Sequence, residues 1–342
     1  MNPIVLTANQ APKFYRGGEA IAEFRGFSAE PSATQTGPED WLASTVCLFG
    51  TDDGLTTLPD GRRLRDAIAD DPIGFLGEQH HRAYGTDPAL LVKLLDAGQR
   101  LPVHVHPDRE FAANHLGAIH GKTEAWIVLA TRTPDASVYL GFREPVDETT
   151  LSSWLETQES AAMLAALNEI RVEPGDTVLV PAGTPHAIGE GVFLVELQEP
   201  TDFSIMLEWA AFGLSDCAHE QLGLPTSVAL SCLDRTRWDD GRLAAHVRRH
   251  VMRSDAGTTN LLPASADPFF RAEHIVIEST ADSAAQYAVL VITAGAAQLE
   301  TDDATIDVHR GDTLLVPYGA GNVRITGSVS MVRCLPPSTP AV

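Results

Sequence analysis

The chain has 342 residues, 44% of them apolar and 20% charged, the balance of a folded protein with a sizeable core and not of a disordered or fibrous chain. With 24 basic against 46 acidic residues the net charge is −22, which argues against nucleic acid or an anionic membrane as partner and leaves any anionic substrate to local positive groups. No secretory signal opens the sequence, no run of 18 apolar residues offers a membrane span, and Cys47, Cys217, Cys232 and Cys334 lack CxxC spacing, so a soluble cytoplasmic protein with free thiols is expected.

In chain order, residues 64–98 carry apolar positions at helical spacing, broken at Pro72 and Pro88, and predict a helical insert. His80 and His81 within it read as a capping or solvated pair. From Leu101 the pattern changes to short runs bounded by Gly, Pro or Asp: VHVH, AWIVLAT, SVYLGF, DTVLVPAG, GVFLVELQEP and SIMLEW. These predict strands of a β-sandwich or barrel, interrupted by one helical segment at residues 151–170. The segment Gly175-Asp-Thr-Val-Leu-Val-Pro-Ala-Gly-Thr-Pro-His186 matches Gly311-Asp-Thr-Leu-Leu-Val-Pro-Tyr-Gly-Ala-Gly-Asn322 at a constant offset of 136. A turn, a buried strand and a Pro-x-Gly corner thus occur twice, which predicts two related barrels, each closing its own edges. The expected division is residues 1–230, with the insert, and residues 231–342.

His104 and His106 alternate in VHVH, so on a strand both imidazoles leave one face while Val103 and Val105 leave the other. Glu124 opens the next strand, and His186 follows the first Pro-x-Gly corner. Three neutral imidazoles and one carboxylate converging inside a small barrel suit a divalent transition metal with room for water or substrate oxygens. The sequence contains neither GxxxxGK[ST] nor GxGxxG, so nucleotide chemistry has no support.

These segments, in their order and spacing, resemble the class I mannose-6-phosphate isomerases of the cupin superfamily. The resemblance rests on Lys93-Leu-Leu-Asp-Ala, Leu101-Pro-Val-His-Val-His-Pro-Asp, Gly121-Lys-Thr-Glu-Ala-Trp126, Gly141-Phe-Arg143 and Pro181-Ala-Gly-Thr-Pro-His-Ala-Ile-Gly-Glu-Gly191 running on to Glu199-Pro-Thr-Asp202. It covers most of the first 210 residues, with Phe14-Tyr-Arg-Gly-Gly18 and Glu39-Asp-Trp-Leu-Ala-Ser44 as looser matches, and implies a mainly β protein of two cupin (jelly-roll) barrels. It implies interconversion of mannose 6-phosphate and fructose 6-phosphate, with Zn2+ on His104, His106, Glu124 and His186. Where the family has glutamine this chain has His104, a stronger donor that makes the set equally suited to other divalent transition metals.

The resemblance also places Lys93, Lys122 and Asp202 in the active site, where a nearby cation would disfavour the ammonium form of a lysine and direct it to proton transfer. Two of the chain's three lysines (Lys13, Lys93, Lys122) fall on these matched positions, although arginine is otherwise its standard cation. Four residues beyond the matched aspartate the family has an arginine and this chain has Met206, which leaves Arg16, Arg100 or Arg143 to substitute or the substrate to differ. The C-terminal copy carries Asn322 in place of His186 and no HxH, and is expected to be structural. The partner is a sugar or sugar phosphate. Alternatives at this point are an isomerase of another or unphosphorylated sugar, an oxygen-using iron cupin, and a non-catalytic sugar-binding cupin.

Overall fold

The computed structural model describes residues 1–27, 37–214 and 221–338. Cys217 lies outside the described residues; Cys47, Cys232 and Cys334 are free. All six predicted strand runs are strands: His104–Val105, Glu124–Thr131, Ser137–Phe142, Thr177–Val180, Val192–Gln198 and Ile205–Met206. The architecture is mainly β, built of antiparallel sheets. A seven-stranded sheet runs in the order 247–248, 177–180, 124–131, 192–198, 91–96, 39–42, 10–11. A five-stranded sheet runs 205–206, 104–105, 186–188, 137–142, 167–171, and an eight-stranded sheet gathers the C-terminal strands from Gly257 to Leu335 together with Ile4–Val5. Among the described residues no helix is long and apolar enough to cross a membrane.

The helical reading of 64–98 needs a correction at its end. Three short helices occupy Leu64–Asp70, Pro72–Leu76 and Glu78–Tyr84, but Leu91–Asp96 is an inner strand of the seven-stranded sheet. The six residues LVKLLD are buried throughout: Val92 and Leu94 face one apolar cluster and Leu95 another. A strand covered on both faces loses the polar–apolar alternation that distinguishes it from a helix. His80 and His81 act as expected of a capping pair, bonding through Nε2 to the Asp87 carbonyl and through Nδ1 to the Gly85 carbonyl, each within 2.8 Å. Residues 151–170 divide into the end of helix Glu148–Thr157, helix Ser160–Ala166 and the start of strand Leu167–Arg171.

The sequence repeat is a structural repeat. Gly175 and Gly311 both turn with positive φ, +89° and +98°, and lead into strands Thr177–Val180 and Thr313–Val316 at the same offset. A Cβ at Gly311 would stand 2.1 Å from the Phe24 carbonyl oxygen, so that turn needs glycine for space as well as for φ. Register shows what the second copy lacks. Glu124 pairs with Val180 in the first copy, and Ala288 pairs with Val316 in the second. Asn322 spends its side-chain oxygen on the Ala285 amide, and apolar residues, among them Leu290, Ile325 and Met331, fill the interior. Outward residues of the seven-stranded sheet (Val92, Leu94, Ile127, Val195, Leu197) pack against Val289, Val291 and Val332 of the eight-stranded one, and against Phe270 just before it, in a single core. Each half also borrows a strand: Ile4–Val5 pairs with Leu314–Leu315, and Val247–Arg248 pairs with Thr177–Val178.

Candidate active site

The five-stranded sheet supplies the imidazoles. His104 and His186 are direct cross-strand partners, and His106 lies just beyond the short strand. The three rings are buried, with centroids 4.1 to 4.8 Å apart, and their ligand atoms lie within 4.8 Å of one another. Every Nδ1 bonds a main-chain carbonyl at 2.8 Å: His104 to Pro102, His106 to Phe203, His186 to Thr184. A carbonyl only accepts, so each Nδ1 carries the proton and each Nε2 lone pair points into the site. Burial, with the ammonium of Lys122 adding to it, pushes His106 down to about 3, and burial with the neighbouring imidazoles holds His104 well below the usual histidine range. Both are therefore in the neutral, ligating form at neutral pH.

Glu124 faces these rings from the seven-stranded sheet, 3.0 Å from His106 Nε2 and 3.3 Å from His186 Nε2, oriented by the Trp126 indole N–H at 3.0 Å. Burial raises its pKa, but Lys122 and His106 outweigh burial and keep it well below the ordinary carboxylate value. Carboxylate oxygens and imidazole lone pairs are all acceptors, and Glu124 Oε2 and His186 Nε2 are buried without a hydrogen-bond partner. Such a cluster needs a cation. The Lys122 ammonium meets part of that need, 2.8 Å from His106 Nε2 and 3.2 Å from Glu124 Oε2. Two carboxylate-facing neutral histidines and a third beside them fit a divalent transition metal, and among the described residues no other group of three ligands forms.

Sheet register also lines up a row of charged groups on the face that carries Glu124. Trp41 pairs with Lys93, Lys93 with Glu196, and Glu196 with Trp126. The Lys93 ammonium lies 3.2 Å from Glu39, 3.1 Å from Glu196 and 4.8 Å from the centre of the Trp41 ring. Burial by itself would favour neutral Lys93, but Glu39 and Glu196 override it and raise the pKa above the ordinary lysine value. The expectation that its ammonium is disfavoured is thus corrected: two carboxylates lie closer than any ligand site. Glu196 is pushed up by burial, and its Oε2 accepts no hydrogen bond. A cavity of about 50 Å3 is lined by Glu39, Lys93, His104, Lys122, Glu124, Glu196, Asp202 and Met206, and also by Lys13.

Beyond the cavity wall, His120 lies 2.6 Å from Asp87 and 3.9 Å from Glu199, which in turn accepts the Thr123 amide at 2.9 Å. Burial lowers its pKa, but hydrogen bonds to Asp87 and Glu199 prevail and push it up to about 9. The folded state therefore holds this proton more tightly than the unfolded chain, where histidine titrates near about 6.5. Its stabilisation is complete below that value and is lost as pH rises through about 9. Urea unfolding of wild type is expected to lose about 2 kcal/mol from this group between pH 6.5 and 9.5, a loss absent in His120→Asn. Equal pH slopes for the two proteins would remove His120 from the account.

Comparison with known proteins agrees with this arrangement. The family model described as the cupin domain of mannose-6-phosphate isomerase matches residues 257–336. Mannose-6-phosphate isomerase ManA of Bacillus subtilis is 28% identical over 258 residues, 74% of this chain and 78% of that protein. The mannose-6-phosphate isomerase of Streptococcus mutans is 31% identical over 210 residues, 58% of each chain. These likenesses support a class I mannose-6-phosphate isomerase of the cupin superfamily. The crystal structure of the mannose 6-phosphate isomerase from Bacillus subtilis shares the fold, with a TM-score of 0.75 at 20% identity over 98% of this chain and 99% of that one.

All seven site residues named from the sequence border one region. His104, Lys93, Lys122, Glu124 and Asp202 line the cavity, with His106 and His186 against Glu124. Met206 is the cross-strand neighbour of His104 and also lines the cavity. None of the arginines offered in its place does so. Arg100 is held by Glu208 in a two-pronged ion pair at 2.6 and 2.7 Å, Arg143 lines a separate groove, and Arg16 is exposed on the surface. Sequence reasoning missed Lys13, Glu39 and Glu196. The available signals were the rarity of lysine and, in GVFLVELQ, a glutamate on the face otherwise given to Val192 and Leu194. The stretch 257–336 that the family model matches is the part of the chain without the His104–His106–His186 group.

Proposed function

We propose that the protein is a zinc-dependent mannose-6-phosphate isomerase, interconverting mannose 6-phosphate and fructose 6-phosphate in the cytoplasm. The supporting observation is the set of three buried imidazoles whose Nδ1 protons are tied to carbonyls and whose Nε2 atoms share one space with Glu124. In this reading the chain comprises two cupin units, residues 1–230 with a helical insert and 231–342, and only the first binds metal through His104, His106, Glu124 and His186. The strands each half lends the other cross that division.

Aldose–ketose exchange moves a proton between C1 and C2 while the oxygens on those carbons gain and lose negative charge. Bound zinc supplies Lewis-acid polarisation of the sugar oxygens. The chain's own groups do the rest. Glu196, buried and with a raised pKa, is suited to take a proton from one carbon and return it to the next. Lys93 holds Glu196 in place from 3.1 Å, a positioning role. Lys122 donates hydrogen bonds to the sugar oxygens as charge develops there. Asp202, at the cavity rim, accepts from Lys13 Nζ and from the Phe49 amide, each at 3.2 Å.

The deciding assay is fructose 6-phosphate formation from mannose 6-phosphate by protein stripped of metal and reloaded with zinc. Activity is expected only after reloading. Zinc-loaded protein that turns over other aldoses but not mannose 6-phosphate overturns the substrate, and no turnover of any aldose overturns the isomerase reading.

A further inference from the structure

Two cavities meet along one wall. The inner one, about 50 Å3, has room for a few waters and not for a six-carbon sugar. Outside it lies a second cavity of about 350 Å3, within the range of small-molecule sites, and the two share Lys13, Phe14, Asp202, Ser204 and Met206. Isomerisation acts at C1 and C2. A hexose with that end among Glu124 and Glu196 leaves its C6 end in the outer cavity.

We propose that Lys13 binds the phosphate of the sugar substrate at the junction of the two cavities. This rests on the isomerase reading given above. Lys13 is the only cationic side chain lining the outer cavity among the described residues, and no arginine lines either cavity. Its ammonium has three N–H donors and two carboxylate neighbours, Asp202 at 3.2 Å and Glu39 at 3.5 Å. Glu39 does not depend on it, being held also by Lys93 at 3.2 Å, the Trp41 indole at 2.7 Å and the Tyr15 hydroxyl. Asp202 keeps the Phe49 amide when Lys13 turns toward a ligand. The lining of the inner cavity carries three lysines against Glu39, Glu124, Glu196 and Asp202. A divalent ion tips this balance to one net positive charge, which an anionic substrate neutralises. Phe14 and Phe49, exposed large apolar residues at the outer cavity, offer ring faces to the C–H surface of the sugar.

The position also accounts for the lysine usage of the chain. All three lysines line the inner cavity, while arginine serves everywhere else. An ammonium on a flexible stem can pivot between Asp202 and a phosphate in a space where a planar guanidinium, locked bidentately to Asp202, would not.

The test is Lys13→Met in zinc-loaded protein, with Lys13→Gln as a second variant that keeps a donor for Asp202 without the charge. Both are expected to raise KM for mannose 6-phosphate by roughly 10- to 100-fold with a much smaller change in kcat. Both are also expected to lose competitive inhibition by inorganic phosphate and the rise in melting temperature that phosphate gives wild type, at undiminished zinc content. Lys13→Arg should recover part of the phosphate effect. Unchanged KM and unchanged phosphate response in the variants overturn the proposal. Because phosphate binding is read without turnover, the two readings separate. A wild type that binds phosphate through Lys13 but does not isomerise mannose 6-phosphate defeats the isomerase reading alone, and one that does not bind phosphate defeats the role of Lys13.

Discussion

Replacing His186 with alanine is expected to empty the metal site and reduce isomerase activity to background. The imidazole is fully buried, tied through Nδ1 to the Thr184 carbonyl, and its Nε2 has no protein donor. Nothing in its surroundings can take its place. Loss of one of the four proposed ligands leaves three donors in an arrangement built around four, and metal affinity is expected to fall far enough to empty the site during purification. Metal analysis of the purified variant, beside wild type loaded in the same way, is the check. Undiminished occupancy would sink the ligand assignment. Because His186 is packed within the five-stranded sheet, between His104 and Leu140, the variant should still fold, with a modest loss from the small cavity it leaves.

The second large effect belongs to Lys93, and it is one of stability. Its ammonium lies between two buried carboxylates and over an indole ring at 2% exposure. Lys93→Met keeps the length of the side chain and removes the charge. Glu39 and Glu196 then face each other without the cation that separates them, and breaking such a buried arrangement costs about 3–5 kcal/mol. Urea or thermal unfolding should show the loss. Combining Lys93→Met with Glu196→Gln should recover part of it, since one of the two unpaired charges is gone. A Lys93→Met protein as stable as wild type would mean that the carboxylates are protonated or hydrated in a way the geometry does not suggest.

How far the site was legible in the sequence depended on whether a residue's role was local. His104 and His106 could be paired from alternation alone, because a strand fixes which side chains share a face over two residues. His186 could be found because its Pro-x-Gly corner occurs twice and only one copy ends in histidine. Lys93 lines the cavity, although its segment reads as helix in the sequence. The apolar run around it is covered on both sides, by the inner cluster and by the core shared with the eight-stranded sheet, and so carries no period of two. Glu39, Glu196 and Lys13 were out of reach for a different reason. Their meeting depends on the register of strands that lie 56 and 103 residues apart at the paired positions Glu39↔Leu95 and Lys93↔Glu196, and on the path of an irregular N-terminal segment. Hydrophobic pattern within one strand says nothing about which residue of the next strand stands opposite. The charge state of Lys93 was misjudged in consequence, since its partners were unknown.

The exchange of strands between the two halves sets how the molecule comes apart. Ile4 and Val5 are hydrogen-bonded to Leu314 and Leu315, so the beginning of the chain is anchored in sequence made more than three hundred residues later. Val247 and Arg248, after the first half has been completed, return to pair with its strand at Thr177 and Val178. The seven-stranded sheet is complete only once Val247 and Arg248 are made, and the C-terminal sheet closes only with Ile4 and Val5 from the start of the chain, so a peptidase cut between the halves would leave each piece holding a strand of the other. Heating should therefore melt both halves in one cooperative step, each drawing part of its endurance from the strand the other lends it.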